Sequence, residues 1–196
     1  AGPRAAAQRT TLFLSELGLG PRDVGRLLAL PMARLVEALR VRDPSRVEDT
    51  ALYFGPVLDS RSLLRHPFYP DAPAQSVRIP MIVGNTRDET RAFLGNDPAN
   101  FELTWEQLPQ KLREQQFVDL SADTVIAEYR RLYPDYTPSE IFFAATTAGR
   151  SWRGAIIEAE ERAKQGAPTW VYQLDWRSPV DGGRLRAFHT LDIPLV

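Results

Sequence analysis

The sequence predicts an α/β fold in which a mostly parallel β-sheet is flanked by helices. Residues 79–84 form a short apolar run without alternation, which is the pattern of a strand buried on both faces of a parallel sheet. Residues 168–175 are rich in aromatic and β-branched side chains and predict a second buried strand. Helical periodicity separates the two runs. A strand, a series of helices and a second strand in this order favour an α/β architecture with parallel strands.

Short amphipathic helices are predicted at the beginning of the chain. The first covers residues 5–17 and is closed by Gly18, Asp23 is a candidate N-cap of the second, and Pro31 opens the third. Prolines are then dense between residues 49 and 80. This density excludes long helices and predicts an extended segment that crosses a surface.

Longer helices are predicted between the two strands. Periodic apolar residues indicate helices over residues 104–116 and 121–132, and Ser121 is suited to cap the second of these. Residues 137–140 read Thr-Pro-Ser-Glu, a capping box that begins a helix running toward Gln165. We expect this helix to bend near an internal glycine, because each glycine weakens a helix by about 1 kcal/mol relative to alanine. The two glycines concerned are Gly149 and Gly154.

Two strands are too few for such a sheet. A sheet buried on both faces by helices needs more than two strands to close its core. The sequence therefore predicts a chain that is incomplete as a folding unit, with residues 1–196 forming one segment of a larger domain. Open strand edges and faces of this kind also predict self-association.

Composition excludes several classes of function. The formal net charge is −1 with acidic and basic residues mixed, so no nucleic acid is expected as a partner. No run approaches the roughly 20 apolar residues of a membrane span, and residues 1–8 lack the apolar core of a signal peptide. The chain has no cysteine and only two histidines, so no structural metal site is expected. The sequence implies no organic cofactor either. Missing cysteines fit the cytoplasm better than secretion without excluding secretion.

Polar turns follow both predicted strands. Asp88 and Glu89 come after the first strand, and His189 comes after the second. Working groups of open α/β sheets lie beyond the carboxyl ends of strands, where neighbouring turns converge on one crevice. A carboxylate and an imidazole brought together in this way are two thirds of an acyl-transfer triad. The pattern alone does not separate Asp88 from Glu89, since both suit the first turn of a helix.

The order of acid before histidine matches the α/β-hydrolase order of serine, acid and histidine. The serine would then lie upstream in a G-x-S-x-G motif, and the sequence contains no such motif. Ser151, in residues 149–154, is the nearest approach. We reject it because its glycines are one residue too far apart and because a predicted helix surrounds it instead of a strand-to-helix elbow. An oxyanion-hole run of the H-G-G-G type is also missing.

Four segments in order, residues 55–59, 79–89, 170–176 and 188–194, resemble successive landmarks of the type-B carboxylesterases. This family includes bacterial para-nitrobenzyl esterases and cholinesterases. The resemblance implies the carboxyl-terminal part of an α/β-hydrolase fold, with the nucleophile-bearing amino-terminal part absent. It implies hydrolysis of a small carboxylic ester through an acyl-serine intermediate, and an isolated chain without activity.

Within this resemblance Glu89 is the triad acid and His189 is the triad base. Asp88 is then left to cap or orient the turn, and Asp192 to anchor a local turn. Two positions depart from the family, which often has glycine at the position of Thr90 and a small residue at that of Thr190. We expect these changes to alter the shape of the substrate pocket more than the triad.

Plainer interpretations remain open beside this one. His189 by itself is more often a hydrogen-bonded structural residue, and His66 is interpreted as a turn residue. Aromatic side chains are more often core than pocket, and Phe188 is the best candidate for the pocket. The others are Trp170, Trp176, Phe142 and Phe143. The alternative functions are a non-catalytic, cholinesterase-like partner-binding module, an inactive fragment, and a standalone interaction domain whose similarity to the family is accidental.

Overall fold

The computed structural model of the chain describes residues 2–44, 51–116, 118 and 120–195. Contacts divide the chain into two units, Ala1–Tyr69 and Pro70–Val196. Residues 49 and 50, the start of the predicted extended segment, lie outside the described part. That both units belong to one domain remains a prediction.

The first unit contains helices α1 (Pro3–Glu16) and α2 (Met32–Ala38). Leu17 caps α1, and Gly18 follows with a φ of 70°, a left-handed conformation that glycine adopts without strain. Pro31 is the N-cap of α2, as its predicted opening role requires. A small apolar core holds this unit together. It consists of Leu14, Leu17, Leu19 and Ala38.

The expected role of Asp23 is corrected. The segment between the two helices is a 3-10 helix, Pro21–Ala29, whose N-cap is Gly20. Asp23 lies at the third position, where its carboxylate accepts a hydrogen bond from the Gly20 N–H at 2.9 Å. Because proline already occupies the first position, the helix begins earlier than the acidic residue indicated.

In the described part of the proline-rich segment, regular structure is confined to the 3-10 helix Ala74–Ser76. The exclusion of long helices is thus confirmed for residues 51–80. The second unit then alternates strand, helices and strand. Its elements are β1 (Met81–Thr86), α3 (Arg91–Leu94), α4 (Leu108–Gln115), α5 (Ala122–Leu132), α6 (Pro138–Thr147), α7 (Arg153–Lys164) and β2 (Thr169–Leu174).

The strands β1 and β2 pair in parallel, with Met81 opposite Thr169 and Thr86 opposite Leu174. The predicted pairing is confirmed, but the predicted burial of both faces is wrong for this chain. Ile82 and its register partner Trp170 lie on one face, and they are 72% and 57% exposed. Helix α7 packs against both strands, and no described helix covers the Ile82 face.

Helix α4 begins four residues later than predicted, at Leu108. Pro109 explains the shift, since proline lacks the N–H that an interior helical position donates and is tolerated only in the first turn. Helix α5 has Ser121 as its N-cap, with the hydroxyl accepting from the Thr124 N–H. These helices pack with α6 around one core. It includes Leu108, Leu112, Val125, Ile141, Phe142 and Phe143.

The predicted capping box is confirmed, and the predicted helix is interrupted near Gly149. Thr137 accepts from the Glu140 N–H, and the Glu140 carboxylate accepts from the Thr137 N–H at 2.9 Å. The helix is interrupted by a π-helical turn, Ala148–Trp152, which contains Gly149. Helix α7 follows this turn and packs against both strands.

Candidate active site

The acid turn, which holds Asp88 and Glu89, follows β1 directly. The backbone N–H of Thr86, the last residue of the strand, donates to Oε1 of Glu89 at 2.7 Å. Glu89 is only 6% exposed, so this bond compensates part of the cost of burying its carboxylate. The side chain is thereby aimed at the carboxyl end of the sheet, the edge where β2 also ends.

His189 meets Glu89 at this edge. Its Nδ1 lies 2.5 Å from Oε2 of Glu89, across one hundred residues of sequence. An ionised carboxylate only accepts hydrogen bonds, so Nδ1 carries the proton and Nε2 keeps a free lone pair. The imidazole side chain is 47% exposed and the carboxylate side chain 8% exposed. Nε2 has no hydrogen-bond partner among the described residues.

The neighbouring Asp88 does not contact the imidazole. Its N–H donates to the Ala187 carbonyl oxygen at 2.8 Å, and its Oδ2 accepts from the Ala187 N–H at 3.3 Å. Arg91 donates through Nε to Oδ1 of Asp88 at 3.2 Å. Of the two acids that the sequence could not distinguish, the structure joins Glu89 to the histidine and Asp88 to the backbone before it.

The structure shows local contacts of Thr90 and Thr190, and their effect on the substrate pocket remains a prediction. Thr90 is fully buried and faces α6, where its hydroxyl donates to the Phe143 carbonyl at 3.0 Å and its N–H donates to the Thr147 hydroxyl. It anchors the acid turn to the helical core. Thr190 has a φ of 68°, a left-handed conformation that is unfavourable for a β-branched residue. Its hydroxyl donates to the carbonyl oxygen of His189 at 2.6 Å.

Phe93 is a site residue that the sequence analysis missed. Its ring centroid lies 4.7 Å from that of the His189 imidazole, and the residue is 49% exposed. Phe93 lies in α3, the four-residue helix that begins two residues after Glu89. Phe188, the predicted pocket residue, is partly buried, and its role in a pocket remains a prediction.

Asp192 is more than the local anchor expected. Its Oδ2 accepts a hydrogen bond from the Tyr172 hydroxyl at 2.8 Å, which ties the segment after His189 to β2. This bond is the main reason that the pKa of Tyr172 is raised, because it stabilises the protonated phenol. Burial and the negative charges of Asp192 and Glu89 act in the same direction.

This bond predicts a loss of stability at alkaline pH. A tyrosine with a raised folded-state pKa contributes stability that is complete below its unfolded-state pKa of about 10 and is lost as pH rises through the higher value. Tyr172→Phe should cost below about 1 kcal/mol at neutral pH, since the bond is exposed. Urea unfolding of the two proteins should show this difference shrinking above pH of about 10. Tyr69→Phe, at an exposed position, is the control, and a pH-independent difference for Tyr172 contradicts the expectation.

The other residues that the sequence singled out lie in turns, in the core or at the surface. His66 accepts the Phe68 N–H at Nδ1, which confirms the interpretation as a turn residue. Ser151 lies in the π-helical turn and not at a strand-to-helix elbow. Phe142 and Phe143 belong to the core, whereas Trp170 and Trp176 are more than half exposed.

A cavity of about 610 Å³ lies beside the acid turn, on the side of Asp88. Burial raises the pKa of Tyr129 in its wall to about 12, with the charges of Tyr133 and Tyr136 adding to the effect. Neither Glu89 nor His189 lines this cavity. In the described ranges, no cluster of His, Asp or Glu suits a metal ion. Nor is any described helix long and apolar enough to cross a membrane.

Comparison with known proteins finds no matching family model. Among curated proteins, the chain is 28% identical over 195 residues to the para-nitrobenzyl esterase of Bacillus subtilis (strain 168), covering 97% of this chain and 37% of that protein. It is 27% identical to the phenmedipham hydrolase of Pseudarthrobacter oxydans, covering 90% of this chain and 34% of that protein.

Solved structures of esterases are also similar to this chain. The crystal structure of the Geobacillus stearothermophilus carboxylesterase EST55 at pH 6.2 matches with a TM-score of 0.68 and 28% identity. That match covers all of this chain and 38% of the esterase. A structure of PNB esterase matches with a TM-score of 0.62 and 26% identity, over 99% of this chain and 39% of the other.

The parallel strand pair, its helices and these likenesses define a partial α/β-hydrolase fold. The chain is similar to members of the type-B carboxylesterase family and corresponds to a carboxyl-terminal portion of them. It spans little more than a third of the length of the relatives it matches.

Proposed function

We propose that this chain supplies the acid and the base of a Ser-Glu-His triad that hydrolyses small carboxylic esters. Glu89 is the acid and His189 is the base. The observation that carries the proposal is the contact between Nδ1 of His189 and Oε2 of Glu89, made by two turns one hundred residues apart. The nucleophilic serine and the oxyanion donors belong to the part of the same domain that precedes these residues.

The geometry suits both halves of the reaction. The lone pair of Nε2 accepts the serine proton as the serine oxygen attacks the ester carbonyl, and the imidazolium then protonates the departing alkoxide. In the second half Nε2 accepts a proton from water, whose oxygen attacks the acyl-serine, and returns that proton to the serine. Glu89 stays ionised, holds the tautomer and stabilises the imidazolium in both halves.

Exposed apolar side chains on one face of the sheet support the proposal that a further segment of the domain covers this face. The Ile82 face of the sheet bears Ile82, Trp170 and Tyr172, all exposed, and apolar sheet faces of this kind are normally covered in α/β folds. In the proposal, the amino-terminal part of the domain covers this face and forms the remaining walls of the substrate cleft. Without that part we still expect self-association through the same face.

A paired labelling experiment tests the proposal. The 196-residue chain should show neither ester turnover above background nor labelling by a fluorophosphonate, which phosphonylates activated serines. A protein extended upstream through the coding region should contain a G-x-S-x-G motif, label stoichiometrically and hydrolyse para-nitrophenyl esters. The unextended chain at equal concentration is the control. An extended protein that folds, carries the motif and does not label contradicts the proposal and favours the partner-binding alternative.

A further inference from the structure

The turn that holds Asp88 and Glu89, the acid turn, and the turn that holds His189, the histidine turn, are joined by more than the Glu89–His189 contact. Asp88 and Ala187 exchange two hydrogen bonds, one between backbone groups at 2.8 Å and one from the Ala187 N–H to the Asp88 carboxylate at 3.3 Å. Ala187 is completely buried and stands two residues before His189. The backbone that leads into the imidazole is therefore fixed by Asp88.

Arg91 adds a second connection between the same two turns. Its Nε donates to Oδ1 of Asp88 at 3.2 Å, and its Nη1 donates to the carbonyl oxygen of Arg184 at 2.9 Å. The guanidinium also lies over the Phe143 ring, 4.6 Å from the centroid. A single side chain thus holds the Asp88 carboxylate, the start of the histidine turn and the helical core together.

The ion pair between Asp88 and Arg91 is largely buried. The two side chains are 12% and 6% exposed. Burial lowers the pKa of Arg91 and the charge of Arg186 acts the same way, whereas Asp88 opposes both. A buried pair gains little net stability, because the desolvation of both charges offsets their attraction. Such a pair is better explained by the geometry that it enforces than by the energy that it contributes.

A simple capping role does not explain Asp88. Helix α3 has Thr90 as its N-cap, with no side-chain cap bond. The Arg91 N–H donates to the backbone carbonyl of Asp88 and not to its carboxylate. Both carboxylate oxygens are instead engaged by Arg91 Nε and the Ala187 N–H. The carboxylate is directed at the histidine turn.

We propose that Asp88 and Arg91 form a positioning pair that holds the histidine turn against the acid turn, so that Nδ1 of His189 meets Glu89 before any substrate binds. The role of this pair in catalysis rests on the proposed function. The positioning itself is measurable in this chain without turnover, because only two histidines are present.

Nuclear magnetic resonance of the ¹⁵N-histidine-labelled chain tests the proposal. A low-field Nδ1 proton should appear for His189 and not for His66, whose Nδ1 accepts a hydrogen bond. Asp88→Ala should abolish this signal or make its exchange with water about tenfold faster or more, as expected for the loss of a hydrogen bond to a charged group. Asp88→Asn, whose amide oxygen still accepts from the Ala187 N–H, should show a smaller acceleration.

Asp97→Ala is the matched control. Asp97 also accepts a backbone N–H and pairs with a cation, Lys111, but it contacts neither turn. It should leave the His189 signal unchanged. If Asp88→Ala does not fold, Asp88→Asn decides the question, with the His66 signal and the far-ultraviolet circular dichroism reporting the folded state.

The outcomes separate the two proposals. A wild-type chain that is folded and monomeric and lacks a low-field His189 proton overturns the acid–base pairing on which the proposed function depends. A wild-type chain with that proton, and folded Asp88 variants that exchange it at the wild-type rate, overturn the positioning pair alone. In the upstream-extended enzyme, Asp88→Asn should lower kcat several-fold with KM unchanged, since the proposal assigns the pair to positioning His189 and not to binding substrate.

Discussion

Replacing His189 by alanine in the upstream-extended enzyme should lower kcat by roughly 10⁴- to 10⁶-fold, because the substitution removes the proposed general base of the serine. The structure gives this imidazole a bonded Nδ1 and an Nε2 free of described partners, which is the arrangement a general base requires. Residual turnover would come from the oxyanion donors and substrate binding. Steady-state hydrolysis of a para-nitrophenyl ester is the measurement.

The second histidine provides the control for this prediction. His66 accepts a hydrogen bond from the Phe68 N–H in a turn, and the proposed triad gives it no role. His66→Ala should therefore keep wild-type kcat and KM. Equal losses in the two alanine variants would mean that the effect of His189→Ala is structural, and wild-type turnover in His189→Ala would remove His189 from the mechanism.

Glu89→Gln should lower kcat by roughly 10³- to 10⁴-fold, and so leave more activity than His189→Ala. A glutamine keeps the size of the side chain but not its charge, so the imidazolium formed in the reaction loses its compensation. The amide can also donate to Nδ1, which favours the wrong tautomer of the imidazole. The Thr86 N–H can still donate to the amide oxygen, so the fold of the turn should survive.

The ratio of the two losses distinguishes the roles. Glu102→Gln, at an exposed position near α4, is the matched control and should keep the wild-type kcat. If Glu89→Gln costs as much as His189→Ala, then the carboxylate does more than orient and stabilise the imidazole. If Glu89→Gln retains full kcat, the contact between Glu89 and His189 has no catalytic role.

Local rules account for much of the second unit. The capping box at Thr137, the N-cap at Ser121 and the parallel pairing of β1 with β2 follow from sequence patterns alone. Where these rules failed, the cause was a competing local effect or a sheet face that the described residues leave uncovered. Pro109 delayed the start of α4, and the open face of the sheet left Ile82 and Trp170 exposed where a complete sheet would bury them.

The sequence by itself determined the class of fold, the family resemblance and the two turns that hold the candidate acid and base. These are consequences of periodicity, caps and residue order, which act over a few residues at a time. Only the tertiary structure decided which carboxylate reaches the imidazole, that Phe93 lies against it and that Asp88 and Arg91 join the turns. Those contacts link positions up to one hundred residues apart, and parallel strand pairing with the intervening helices is what brings them to the same edge of the sheet.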